Sequence, residues 1–140
     1  MTTRIGKEFI WQMSHRLPFH NGVCKNIHGH SYQMRVEIEG EIDSNGMIMD
    51  YYDMDTIIAP LISKLDHSFC VNDDDTIMLN FLKENNFKYY VIPSTTTAEN
   101  LAQYILDNVK PEFQKFKNLN KIKIRVNETD DVFAELETNL

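Results

Sequence analysis

The stretch Cys24-Lys25-Asn26-Ile27-His28-Gly29-His30 sets two imidazoles two residues apart, with a thiol four residues before the first. On a β-strand side chains alternate between faces, so His28 and His30 project from the same side. Two such imidazoles make half of a zinc site. A zinc site that performs chemistry uses three protein ligands and keeps one position open for water or substrate. His15 supplies a third imidazole. Burying three imidazoles without a shared partner costs desolvation, which favours a common Zn2+ over three separate core histidines. Cys24 keeps three readings open. It is a fourth ligand that closes the site, a free thiol acting as base or nucleophile beside the metal, or a small buried hydrophobe. Cys70, between Phe69 and Val71, reads as core, and His20 as a surface loop residue.

Three other groups carry possible chemistry. Asp66-His67 pairs a carboxylate with an imidazole. If the two touch, the carboxylate orients the ring for acid–base work; otherwise His67 is a basic residue at a helix C-terminus. Glu128 ends a strand, where a carboxylate accepts two parallel N–H bonds from a guanidine-like ligand edge or simply meets solvent. Thr96, Thr97 and Glu99 read first as helix-capping residues and second as binding residues.

The elements that must position these residues follow from periodicity. Residues 5–15 read as a strand, with Ile5, Phe9, Trp11, Met13 and His15 of one parity. From His28 the alternation returns, with Tyr32, Met34, Val36 and Ile38 on the face of the two histidines. Both histidine-bearing strands therefore turn their imidazoles to the buried side. Asp43–Gly46 reads as a turn and Met47–Asp50 as a short strand. Residues 53–65 carry a helical stripe of Met54, Ile57, Ile58, Leu61, Ile62 and Leu65, which Pro60 should bend. Leu65-Asp66-His67 closes that helix, and 71–75 reads as a polar turn. A short helix over 76–85 and an extended piece over 88–92 follow. The pattern Thr96-x-x-Glu99 predicts a capping box and a helix to about Val109, ended by Pro111. Strands over 121–128 and 132–136 close the chain. The predicted class is α+β, an antiparallel four-stranded sheet with helices on one face in ββααββ order.

Composition sets the bounds. At 140 residues, one domain over 1–140 is expected, and 42% hydrophobic with 25% charged residues is ordinary for a globular chain. The net charge of −7 comes with no basic cluster to neutralise phosphates, so no nucleic-acid partner is expected. No apolar run reaches the ~20 residues of a membrane span, and the N-terminus lacks a signal-like segment. A cytoplasmic location and free thiols at Cys24 and Cys70 are expected.

Ser14-His15-Arg16-Leu17-Pro18, Cys24-x3-His28-Gly29-His30, Leu65-Asp66-His67, Thr97-Ala98-Glu99-Asn100-Leu101 and Asn127-Glu128-Thr129 together resemble the 6-pyruvoyl-tetrahydropterin synthase / 6-carboxy-tetrahydropterin synthase family. The motifs occur in family order. The three-residue gap between Cys24 and His28 is similar to that of bacterial 6-carboxy-5,6,7,8-tetrahydropterin synthases of the queuosine pathway. The resemblance implies a tunnelling fold (T-fold), and a homohexamer of two trimers, each closing a twelve-stranded barrel, with active sites between subunits. It implies that His15, His28 and His30 bind zinc. It makes Cys24 the general base, Asp66 and His67 the relay, Glu128 the anchor of the pterin ring and Thr97 a residue that seats it. The implied reaction is a lyase step on a pterin triphosphate substrate. In it, 7,8-dihydroneopterin triphosphate becomes 6-carboxy-5,6,7,8-tetrahydropterin with loss of triphosphate and acetaldehyde. Two alternatives stay open: 6-pyruvoyl-tetrahydropterin synthase activity on the same substrate, and a non-catalytic zinc-bound binding module. Residues 75–92 form an insertion-like departure from compact bacterial members. The cations nearest the site in sequence are Arg16 and Lys25.

Overall fold

The computed structural model describes all residues 1–140. The chain runs β1 (Thr3–His15), β2 (His28–Gly40), α1 (Tyr51–Leu65), β3 (Ser68–Asn72), α2 (Thr76–Glu84), β4 (Tyr89–Ile92), α3 (Ala98–Phe113), β5 (Leu119–Asn127) and β6 (Phe133–Asn139), with a single 3-10 turn at Val23–Lys25. The strands form one mixed six-stranded sheet in the order β4-β3-β1-β2-β5-β6.

The α+β class holds, and β1, β2, β5 and β6 pair antiparallel as the alternation predicts. The sheet is nevertheless not four-stranded and not purely antiparallel. β3 pairs parallel with the end of β1, at Met13↔Ser68 and Ser14↔Phe69, and β4 pairs parallel with β3. The element order is therefore ββαβαβαββ rather than ββααββ. The expected polar turn over 71–75 begins later, because Val71 and Asn72 belong to β3. That strand is buried on both faces along Ser68–Val71, and a doubly buried strand shows no apolar–polar alternation to read.

One cluster of 24 buried residues joins the inward faces of β1, β2 and β5 to α1 and α3. Trp11 and Tyr32 stack within it at 5.3 Å between ring centroids. α2 sits elsewhere: Met78 and Leu82 pack on Phe69 and Val71 in a separate four-residue cluster, while Cys70 of the intervening position faces the main core. Adjacent strand residues point to opposite faces, so α2 lies on the other side of β3 from α1 and α3. The expectation of helices on one face fails for that helix.

Two boundaries also move. Met47–Asp50 is not a strand; Asp50 instead caps α1, its carboxylate accepting from Tyr52 N at 2.9 Å. α3 runs past Val109 to Phe113 with Pro111 inside it. Phe113 is fully buried, so the last turn is held by packing despite the amide proton that proline lacks.

Candidate functional site

The β1–β2 hairpin brings the three histidines together. Its register sets His15 opposite His28 and Met13 opposite His30, so all three rings leave the same face at the hairpin's mouth. Ring centroids lie 4.6 Å (His15–His28), 5.2 Å (His15–His30) and 5.0 Å (His28–His30) apart. One nitrogen from each ring falls within 4.8 Å of the others, a group that could hold a metal ion. His15 Nε2 and His30 Nε2 are 3.2 Å apart. Two nitrogen ligands on a tetrahedral zinc, each at about 2.0–2.1 Å, stand about 3.3 Å apart, so the spacing fits.

The outer nitrogens are already committed. His15 Nδ1 lies 2.7 Å from Thr96 O and His28 Nδ1 lies 2.7 Å from Asn26 O. A carbonyl only accepts, so both Nδ1 atoms carry the proton and both Nε2 lone pairs are left for a cation. This is the donor chemistry a zinc ion requires.

Burial, then repulsion from His28 and His30, drives the His15 imidazole down to about 4 against the pull of Thr96 O. Burial also lowers His30. The sign for stability follows directly. The unfolded chain takes up a proton at His15 near pH 6.5 and the folded chain only near 4. The metal-free protein should therefore lose stability as pH falls from about 6.5 to about 4, by up to about 3 kcal/mol from this group. Chemical denaturation of the chelator-treated protein across that window checks it, with His15→Gln flattening the dependence; equal slopes in the two proteins would contradict the assignment.

Cys24 lies half-buried in the 3-10 turn. The turn is tied back to the end of β1 by Leu17 N donating to Cys24 O at 2.9 Å. Its sulfur does not join the metal-ligating group, which consists of the three imidazoles alone. Cys70 is buried in the main core, and both thiols are free.

Asp66 and His67 do touch. Asp66 Oδ2 is 3.0 Å from His67 Nδ1, and Asp66 Oδ1 accepts from Gln12 N at 2.9 Å. Those hydrogen bonds, Gln12's first, hold the Asp66 carboxyl below the usual carboxylate range. His67 adopts the left-handed backbone at φ 56 and is fixed there by donating its own N–H to Gln12 O at 2.6 Å. The ring is 74% exposed and borders a cavity of about 620 Å³ whose walls include Gln12, His30, Phe81, Phe87 and Lys88. No hydrogen bond or ion pair links Asp66 or His67 to Cys24 within the chain.

Glu128 and Thr97 share a smaller cavity of about 240 Å³ with Leu17, Glu99 and Phe133. Burial raises the Glu128 carboxyl, with a further push from Glu99 and an opposing pull from His28. Glu128 Oε2 lies 3.7 Å from His30 Nε2, so this cavity adjoins the histidine group. The capping box predicted from Thr96 shifts by one: Thr97 is the cap of α3, its hydroxyl accepting from Asn100 N at 3.2 Å. Thr96 is instead buried against His15. Sequence reasoning missed the hold on His15, and gave binding only as the second reading of Glu99, which lines the cavity wall. The Thr96–His15 contact joins residues 81 apart and has no local signature. Arg16 is bound bidentately to Asp75, at 2.8 and 2.5 Å, and His20 is an exposed loop residue as expected.

Residues 4–139 match the family described as 6-pyruvoyl tetrahydropterin synthase. The chain is 34% identical to the 6-carboxy-5,6,7,8-tetrahydropterin synthase of Haemophilus influenzae, over 96% of this chain and 98% of that protein. It is 31% identical to the protein of the same name from Aquifex aeolicus, over 72% and 65% of the two chains. The crystal structure of 6-pyruvoyl tetrahydropterin synthase from Plasmodium vivax superposes with a TM-score of 0.78 at 18% identity, covering 100% of this chain and 99% of the other.

Proposed function

The chain belongs to the 6-pyruvoyl tetrahydropterin synthase family, and from that premise we propose that it converts 7,8-dihydroneopterin triphosphate and one water to 6-carboxy-5,6,7,8-tetrahydropterin, triphosphate and acetaldehyde. The observation that carries the reading is the three-imidazole group, with the Nδ1 atoms of His15 and His28 committed, adjoining a cavity lined by Glu128. The 6-carboxy product is favoured by the names of the Haemophilus and Aquifex relatives.

In this reading His15, His28 and His30 hold Zn2+, which when bound supplies Lewis acidity to the substrate's side-chain oxygens. Glu128 accepts the 2-amino and N3 hydrogens of the pterin, a bidentate geometry suited to a carboxylate. Thr97, already fixed as the α3 cap, seats the ring edge. Cys24 removes a carbon-bound proton as general base. His67, oriented by Asp66, returns a proton on the opposite side. The redox change is internal to the substrate, and the sequence has no Gly-rich dinucleotide motif.

No hydrogen bond or ion pair joins Cys24 to His67 within one chain, which favours a site shared between subunits. Edge geometry favours it too. β6 has a single partner, and β1 meets β3 only through its last turn of pairing, leaving two long edges unpaired. Ring closure of three chains removes such edges, and two rings make the homohexamer. We take the chain as one T-fold domain acting in the cytoplasm, where free Cys24 and Cys70 persist. No helix is long and apolar enough to cross a membrane.

The test is a product assay. Zinc-loaded protein incubated with 7,8-dihydroneopterin triphosphate should yield a 6-carboxy pterin, with acetaldehyde and triphosphate in equal amounts. Triphosphate without acetaldehyde, and a 6-pyruvoyl pterin, would overturn the product assignment. No turnover by a zinc-bound, assembled protein would favour a binding module.

A further inference from the structure

Residues 75–92 leave the sheet at Asp75, pass through α2 and return along β4; Asp75 at the start and Thr96, four residues beyond the end, both hold the strand end that bears His15. At its start, Asp75 takes Arg16 Nε and Nη2 at 2.8 and 2.5 Å while also accepting Met78 N at 3.3 Å to cap α2. The Asp75 side chain is 6% exposed and that of Arg16 20%, so the pair is largely removed from water. At its end, β4 is fixed by Asn72↔Ile92 pairing and by Asp73 N donating to Ile92 O at 3.0 Å. The chain then delivers Thr96, whose carbonyl accepts from His15 Nδ1 and whose hydroxyl donates to Arg16 O at 3.3 Å. Arg16 is therefore held by its side chain from the start of the excursion and by its carbonyl from Thr96, just beyond its end.

This matters because His15 is the last residue of β1 paired with β2. Strand ends fray unless something beyond the ladder holds them. A bidentate, largely desolvated Arg–carboxylate pair is a directional hold, and removing one partner strands a charge away from water.

We propose that Asp75, at the start of this excursion, braces the metal centre as a positioning residue whose grip on Arg16 fixes the His15 ring for metal binding. The proposal rests on the reading that the three histidines bind zinc. Asp75 touches neither substrate nor metal; it acts through Arg16 and the backbone it anchors.

The test measures zinc affinity of the full chain by competition with a chromogenic chelator. Asp75→Asn keeps a side-chain oxygen able to cap α2 but removes the charge facing Arg16. About tenfold weaker zinc binding is expected, the scale seen when outer-shell partners of a metal ligand are lost. Arg16→Gln should lose about as much, the double variant no more than either single one, and Arg16→Lys should recover part of the loss. Leu82→Ala, which loosens the α2 cluster without touching Arg16, should lower the thermal midpoint and leave zinc affinity unchanged. Parental affinity in Asp75→Asn, additive losses in the double variant, or an equal loss in Leu82→Ala would each overturn the brace. The metal-free protein gives an independent reading by NMR. The His15 Nδ1 proton, held by Thr96 O, should exchange about tenfold faster in Asp75→Asn, in line with the affinity loss; unchanged exchange overturns the brace even if the parent binds no zinc, the outcome that would instead sink the proposed function.

Discussion

Cys24→Ala is expected to retain the parent's zinc content and thermal midpoint while turnover falls about 10²–10⁴-fold, the usual contribution of a positioned general base. The expectation comes from the placement of the thiol. Cys24 stands on a 3-10 turn latched to β1 through Leu17, close in sequence to two of the imidazoles but outside the ligating group. Removing a ligand from a closed site would release metal and destabilise the fold; removing a base leaves both untouched. Zinc content is read by elemental analysis and turnover by product formation on the same sample. Loss of zinc together with stability would make Cys24 a structural ligand. Unaltered turnover would remove it from the chemistry.

A comparable fall, about 10²–10⁴-fold, is expected for His67→Ala. Here the fold has invested in one ring: a left-handed backbone at His67, two hydrogen bonds to Gln12, and the Asp66 carboxylate on Nδ1. Such strained, over-determined conformations cluster at functional sites. Because His67 makes no hydrogen bond or ion pair with its own Cys24, the two inactive variants should complement each other. Cys24→Ala and His67→Ala chains, unfolded and reassembled together, should form some interfaces with an intact Cys24 facing an intact His67, and activity should reappear. Mixed assemblies that stay inactive would contradict a shared site.

The hairpin that carries the histidines was legible in the sequence because its signal is local. Parity alone sets His15, His28 and His30 on one face, and the β1–β2 register brings them together. Asp66-His67 was visible as a pair, but its contact was not, because the geometry depends on Gln12 from a different strand. β3 escaped because burial on both faces erases alternation; the extended piece over 88–92 is β4, but its parallel pairing with β3 leaves no local mark in the sequence. Thr96, Glu99 and the Arg16–Asp75 pair act across long stretches of chain, where a single sequence records the residue types and not the meeting. The apparent capping box on Thr96 also hid its use: Thr97 caps α3 equally well and frees the neighbour to hold His15.

An open three-histidine zinc site is distinguished from a closed one by zinc K-edge X-ray absorption on the zinc-loaded protein. Three imidazole nitrogens and one further light atom at about 2.0–2.2 Å are expected, with no sulfur near 2.3 Å. A sulfur scatterer at that distance would place Cys24 on the metal, close the fourth position, and contradict the catalytic reading.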